Sequence, residues 1–339
     1  MRASINPTMA LLFILMLVSH SLAGDGSAGS APGDSVVAEA PGDSSGFGDS
    51  CGPTVPGRSV MVARIAEPRA FPAKHVGSIQ CKDPITGFDF SPLGVSFGLL
   101  DELFVVDSDN SQIFILPRSL EGFDVFSECP GDIAGCRFID LEVGDNGDLF
   151  VSEQSGGAVL TLDRWGEVAS YTEIGEGIVG LGPGPAGKLY AALGFTGLVR
   201  IADLNTQAGS IDCLLSEEGE NSYPVDCLVT ADDRVLVTDA SMKKVLVLSP
   251  VGDILGQLHG FEFESPFGLA ATGNHILVSD IQLGLVAVFN TGGKFVGVFG
   301  EGLLEAPTFM DIRADGTVSI ADTEGMTIEV FKIGKQKAE

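Results

Sequence analysis

Tryptophan occurs once in the 339 residues, at Trp165, tyrosine three times and histidine four times. Beyond the amino-terminal segment only His75, His259 and His275 remain, so a zinc centre of several converging imidazoles is poorly supported. No Cys-x-x-Cys pair is present to replace it. Basic residues are scarce as well, 19 Lys and Arg against 46 Asp and Glu, which leaves a formal charge of −27. A surface of that sign repels phosphate backbones, so nucleic acid is excluded as a partner. Helix-period apolar stripes are hard to find, and the 45 glycines follow no three-residue period, which excludes collagen. Gly-x-Ser-x-Gly occurs at 42–46, 48–52 and 94–98, but no helical pattern follows any of the three, so none reads as a nucleophile elbow. The glycine-rich "GLGPGPAG" (180–187) is not followed by Lys-Ser/Thr and a helix, so it reads as a loop and not a phosphate cradle.

What is present is β-structure. Short Val/Ile/Leu/Phe runs alternate with Gly, Pro, Asn and Asp, and hydrophobic residues make up 45% of the chain, enough for a sizeable core. The first 23 residues have the form of a signal peptide: Arg2, the apolar "MALLFILMLV" (9–18), then small residues at Ser21 and Ala23 for cleavage. The run is too short for a comfortable membrane span, so the mature chain is expected to be secreted or periplasmic, without a transmembrane segment, and a monomer; retention as an uncleaved anchor is the alternative. Residues 24–57, rich in Gly, Ser, Ala, Pro and Asp, read as a flexible linker. Residues 58–334 form the folded domain and 335–339 a tail. All six cysteines lie beyond the cleavage point, and an even count in an exported chain favours disulfides. Fifteen connectivities are allowed. The simplest pairs neighbours: Cys51–Cys81, Cys129–Cys136 and Cys213–Cys227, with the short loop "CPGDIAGC" the strongest of the three.

The chain repeats itself. "SPFGLAATGNHILVSD" (265–280) opens on Pro-x-Gly and closes on apolar-x-Asp, and five related stretches close at Asp107, Glu153, Leu193, Asp239 and Asp322. Successive spacings are 46, 40, 46, 41 and 42 residues. Each unit continues through a turn, an apolar strand such as "GLVAVFN" (284–290), a second turn and a strand such as "KFVGVFG" (294–300). Four-stranded antiparallel meanders with both faces apolar bury those faces by packing radially against one another. The residues of 265–300 closely resemble an NHL repeat of the type found in exported bacterial proteins, and the resemblance extends over about 91–334. It implies an all-β, six-bladed β-propeller of four-stranded blades. The sixth unit ends on "TIEVFKI" (327–333) without a fourth strand, and "KHVGSIQC" (74–81) is predicted to supply it and close the ring. "SVMVARI" (59–65) is expected to add an outer strand or clasp.

An enzyme needs one constellation, not one carboxylate per repeat, so Asp280 and its equivalents read as caps on backbone N–H groups of the following turn. Chemistry is sought where the repeat breaks near the axis. At the glycine of Pro-x-Gly the units carry Gly94, Asp140, Gly180, Asp226, Gly268 and Phe309, and two residues on they carry Glu142 and Asp311. Asp140, Glu142, Asp226 and Asp311 thus fall in alternate units, where they could bind calcium or stand solvated in a wet channel. His259, between units four and five, and Trp165, in a turn between third and fourth strands, are candidate binding residues; either could equally be an ordinary surface or packing residue. NHL-like propellers include zinc lyases, calcium lactonases and streptogramin lyases. The expected function is a binding or scaffold module for a protein, peptide or glycan. The alternative is a calcium-dependent hydrolase or lyase at a mouth of the channel.

Overall fold

A computed structural model describes residues 69–130, 135–205, 210–216 and 221–334. The stretches expected to be signal segment, linker and carboxy-terminal tail, together with "SVMVARI", lie outside the described residues. Six four-stranded antiparallel sheets form a ring. Blade 1 comprises β2 (Pro92–Phe97), β3 (Leu103–Asp107), β4 (Gln112–Leu116) and β5 (Asp124–Glu128). Blade 2 comprises β6 (Phe138–Val143), β7 (Leu149–Glu153), β8 (Ala158–Leu162) and β9 (Val168–Glu173). Blade 3 runs from β10 (Ile178–Pro183) through β11 (Lys188–Leu193) and β12 (Leu198–Asp203) to β13 (Ile211–Leu214). Blade 4 runs through β14 (Pro224–Val229), β15 (Val235–Asp239), β16 (Lys244–Leu248) and β17 (Ile254–Gln257). Blade 5 has β18 (Pro266–Ala271), β19 (His275–Asp280), β20 (Leu285–Asn290) and β21 (Phe295–Phe299). There is no α-helix among the described residues. "GLGPGPAG" becomes the end of β10 and a single 3₁₀ turn, Pro185–Gly187.

Blade 6 closes the ring as expected. It takes β22 (Pro307–Ile312), β23 (Thr317–Asp322) and β24 (Thr327–Ile333) from the carboxy-terminal end, and β1 (Ala73–Gln80) from the beginning pairs antiparallel with β24, Ala73 opposite Ile333 and Gln80 opposite Thr327. Side chains reinforce this seam. The buried Glu329 accepts from Ser78 Oγ (2.7 Å) and Thr327 Oγ1 (2.9 Å), and its Oε2 lies 2.6 Å from His75 Nε2. Just before β1, Arg69 and Phe71 exchange backbone bonds with Val298 of blade 5, so a short parallel segment covers the outer edge of β21.

The sequence alternation explains the core. β3 and β19 are buried along their whole length because neighbouring blades cover both faces. Leu141 and Leu160 of blade 2 pack with Val106 and Ile113 of blade 1, and an equivalent apolar cluster fills each interface around the ring. Each fully buried Leu, Ile or Val contributes about 1.5–3 kcal/mol, so the ring is held by many similar layers and no dominant one.

Cys129 and Cys136 form a disulfide, Cα–Cα 6.2 Å, in the connection from blade 1 to blade 2. The expected Cys213–Cys227 bond is not made, and both thiols are free and buried. Cys213 belongs to the outermost strand of blade 3 and tucks under Gly252 in the β16–β17 turn, whereas Cys227 belongs to the innermost strand of blade 4. A disulfide reaches only about 4.4–6.8 Å between Cα atoms and cannot run the length of a blade radius. Cys81 is buried without a disulfide partner among the described residues, and Cys51 lies outside them.

Candidate functional site

The acids that recur at one position of the repeats behave as backbone caps. Asp280 accepts from Glu264 N (2.8 Å) and Ser265 N before its blade, and from Gln282 N and Leu283 N (both 3.1 Å) in the turn after β19. Glu153 does the same with Arg137 N, Ser155 N and Gly156 N, and Asp322 binds Glu305 N and Ala306 N. In blades 2, 4, 5 and 6 one carboxylate therefore ties the chain entering the blade to the blade's own second strand, whereas Asp107 of blade 1 caps only the turn after β3 and blade 3 has Leu193 at this position. Burial pushes the carboxyls of Asp280 and Asp107 up, the latter to about 6, against these lowering bonds.

The axis is closed at one end. Leu93, Ile139, Val179, Val225, Phe267 and Phe309, one from the innermost strand of each blade, belong to a single buried apolar cluster, with Phe267 and Phe309 edge to face at 5.0 Å. This plug sits where the innermost strands begin. The polar end of the channel is therefore the one where these strands finish and turn back into the second strands.

Immediately past the plug stand the four acids singled out in the sequence. Asp140 and Glu142 lie on β6, Asp226 on β14 and Asp311 on β22. Their carboxylates reach across blade boundaries: Asp140 Oδ2 accepts from Leu181 N of blade 3 (3.0 Å), Asp226 Oδ2 from Leu269 N of blade 5 (2.7 Å), and Asp311 Oδ2 from Phe97 N of blade 1 (2.7 Å). The remaining oxygens of Asp226 and Asp311 accept from Cys227 N (2.7 Å) and Ile312 N (2.6 Å). Ser152 and Thr238 add hydroxyl bridges at two of these boundaries, each accepting an N–H of its own blade and donating to Val179 O (2.7 Å) or Phe267 O (2.6 Å) of the next.

The other three boundaries are joined by close approach. A Cβ on Gly94 would meet Asp140 Cα at 3.1 Å, one on Gly180 would meet Val225 O at 2.4 Å, and one on Gly268 would meet Thr308 O at 2.5 Å. Glycine-tight and carboxylate-bridged boundaries thus alternate, giving the channel a pseudo-threefold lining inside a sixfold ring.

Burial dominates the electrostatics. It raises Asp140 to about 8 and Asp311 to about 6, and pushes Glu142 and Asp226 well above the ordinary carboxylate range, with their mutual repulsion adding to it. Glu142 is the least engaged of the four. Ser96 Oγ stands 3.4 Å from both Glu142 Oε2 and Asp311 Oδ2, and Glu142 lines an open cavity of about 790 Å³ at the polar mouth with Asn146, Lys188 and Thr230. Asp140 Oδ1 is buried without a hydrogen-bond partner. Calcium takes six to eight oxygen ligands. Here most carboxylate oxygens already accept backbone N–H groups, and no cluster of three or more His, Cys, Asp or Glu able to hold a metal occurs among the described residues.

The other two candidates lie at the rim. His259 is exposed, and its backbone pairs with Gly293 and Phe295 at the start of the outer strand of blade 5, away from the channel. Trp165, at the β8–β9 turn, is 68% exposed and not packed into a blade edge. Its turn is held by Asp163, whose Oδ1 accepts from Trp165 N (2.9 Å) and Glu167 N (3.1 Å), and the guanidinium of Arg164 lies 4.2 Å from the indole centroid. Trp165 borders a cleft of about 760 Å³ between blades 1 and 2.

No protein-family model and no curated protein matches the chain in sequence. Among solved structures it is similar to a streptogramin B lyase (13% identity, 78% of this chain and all of that one, TM-score 0.59). It is similar also to the PQQ-bound aldose sugar dehydrogenase of Streptomyces coelicolor (12% identity, 78% and 99% covered, TM-score 0.58). A third is an auxiliary nutrient binding protein of Bacteroides thetaiotaomicron (11% identity, 76% and 75% covered, TM-score 0.59). At these identities the likeness is one of fold, and the chain is a six-bladed β-propeller.

Proposed function

We propose that this chain is an exported propeller of the NHL-repeat type that serves as a binding or scaffold module for a protein, peptide or glycan. One observation carries the reading: Asp140, Asp226 and Asp311, the acids nearest the axis, are each engaged in bonding the N–H of the next blade. Groups so engaged hold the ring in register and are not poised to react. The surface, in contrast, offers an open mouth and a rim cleft with exposed aromatic and acidic side chains. The nutrient-binding neighbour is consistent with ligand binding on this fold. The disulfide Cys129–Cys136 is compatible with an oxidising compartment outside the cytoplasm, and no helix among the described residues is long and apolar enough to cross a membrane. The test is capture of envelope or culture-fluid components by immobilised residues 24–339, followed by titration of each captured component. Repeated failure to find a saturable partner contradicts the reading.

A second reading, a calcium-dependent hydrolase or lyase at the polar mouth, draws support from the partnerless Asp140 Oδ1 and from the place of Glu142 in the lining of the mouth cavity. It requires the carboxylates to turn from their N–H donors to the ion. Calorimetric titration with calcium decides it: saturable heat that disappears in Asp140→Asn supports this reading, and absence of heat removes it.

A further inference from the structure

We propose that the cleft between blades 1 and 2 binds an extended basic peptide, which adds as a fifth strand along the outer edge of β9. The proposal rests on the binding-module reading and names the place and the chemistry of the partner.

The first ground is the edge itself. β9 is six residues long, longer than the outer strands of blades 1, 3, 4 and 5, and nearly all of it is exposed. It ends its sheet, and among the described residues no bridge covers its outer side. An uncovered strand edge presents unpaired N–H and C=O groups that pair readily with an extended chain. The molecule uses this mode on blade 5, where Phe71 N bonds Val298 O (2.7 Å) and Val298 N bonds Arg69 O (2.8 Å).

The second ground is how β9 is aimed. Its register against β8 slips between Thr161 and Leu162, so that Tyr171 opposes Leu160 and Val168 opposes Leu162. This bulge puts Val168 and Tyr171 on the face that looks toward blade 1, where Leu160 and Leu162 also point. Both are exposed, and both line the cleft beside Trp165. Alternate side chains of an added strand would share that face and enter the cleft.

The third ground is charge. Glu128 and Glu167 line the cleft, and Asp124 and Glu173, both exposed, end the flanking strands. Arg164, the neighbour of Trp165 in the turn, lies over the indole with its guanidinium 4.2 Å from the ring centroid, the kind of contact a partner's cation would make. Aromatic faces ringed by carboxylates select lysine or arginine side chains, and the overall charge of −27 draws such a partner in.

Trp165 is the sole tryptophan, so its emission reports on this cleft alone. The probe is the capped peptide Lys-Val-Lys-Val-Lys-Val, compared with a Gln-Val analogue, a Lys-Pro analogue that lacks alternate N–H donors, and a neutral cello-oligosaccharide. Saturable change of Trp165 emission is expected with the Lys-Val peptide, weakening about tenfold in the Glu128→Gln/Glu167→Gln double variant. The Lys-Pro analogue is expected to bind about tenfold more weakly as well. Trp165→Ala, followed by calorimetry, is expected to lose a similar factor, and unchanged melting of both variants excludes misfolding. No saturable response overturns the proposal. So does equal binding of the Gln-Val or Lys-Pro analogue, undiminished binding in the double variant, or saturation by the oligosaccharide in place of the peptide. Capture of a saturable partner elsewhere on the propeller would leave the broader reading standing while this cleft fails.

Discussion

Removing the carboxylate of Asp226 should unlink blades 4 and 5 at the axis. Its two oxygens accept from Cys227 N and Leu269 N, both at 2.7 Å, and the residue is 2% exposed. Asp226→Ala leaves two buried N–H groups without acceptors, and each costs about 1–3 kcal/mol. Relief of repulsion from Asp140 offsets part of this, so the net loss is expected at about 2–4 kcal/mol. Asp226→Asn keeps one carbonyl oxygen and discards the buried charge, and should lose no more than about half as much. Asp145, exposed in the β6–β7 turn at the polar mouth, supplies the control: Asp145→Ala should stay within about 0.5 kcal/mol. The assay is equilibrium urea unfolding of residues 24–339 followed by far-ultraviolet circular dichroism. The shift must come in the midpoint with an unchanged slope, so that stability and not compactness is compared. An Asp226→Ala variant within about 0.5 kcal/mol of the parent would refute the idea that channel acids bind the blades together.

Further outcomes follow from the same geometry. Gly180→Ala, whose Cβ would meet Val225 O at 2.4 Å and Asp226 Cα at 2.6 Å, should destabilise by more than about 2 kcal/mol, whereas Gly94→Ala, with its nearest atom at 3.1 Å, should cost less; paired melting curves check the order. Burial raises Asp107 and Asp311 to about 6 and Asp140 to about 8, while an unfolded aspartate titrates near 3.9. The folded chain therefore holds more protons in that window, and stability should rise as pH falls from about 8 to about 4. A melting temperature that drops steadily over that range contradicts this. Breaking Cys129–Cys136 by double serine substitution should cost about 2 kcal/mol by loop entropy, read from the urea midpoint.

The ring was legible because it repeats. Six closings on an acid or its substitute, at intervals of 40–46 residues, specify six blades, and the missing strand after "TIEVFKI" demands one from the other end of the chain. The capping role of Asp280 was readable for the same reason, since the feature recurs in every blade but the third. The placement of Asp140, Asp226 and Asp311 on the innermost strands followed from their register, but their acceptor role did not. The N–H groups they bind lie in the next blade, 41 and 43 residues away for Asp140 and Asp226, and in blade 1 for Asp311. The apolar plug is not legible in the sequence, because its members differ in size and sit one per repeat, like any strand residue. Trp165 was visible as a residue, but the cleft it borders depends on a bulge opposite Leu162 that no local pattern announces. Cys213 and Cys227 are close in sequence yet belong to outer and inner strands of different blades, a separation that only the radial order of strands reveals.

Closure of the ring by its own first strand underlies every other statement, and native-state amide hydrogen exchange tests it directly. If β1 completes blade 6, the bonded amides of Ala73–Gln80 and Thr327–Ile333 should exchange together, in the slow class that opens only with the whole propeller. Rapid exchange along 73–80 beside slow exchange along 327–333 would contradict it.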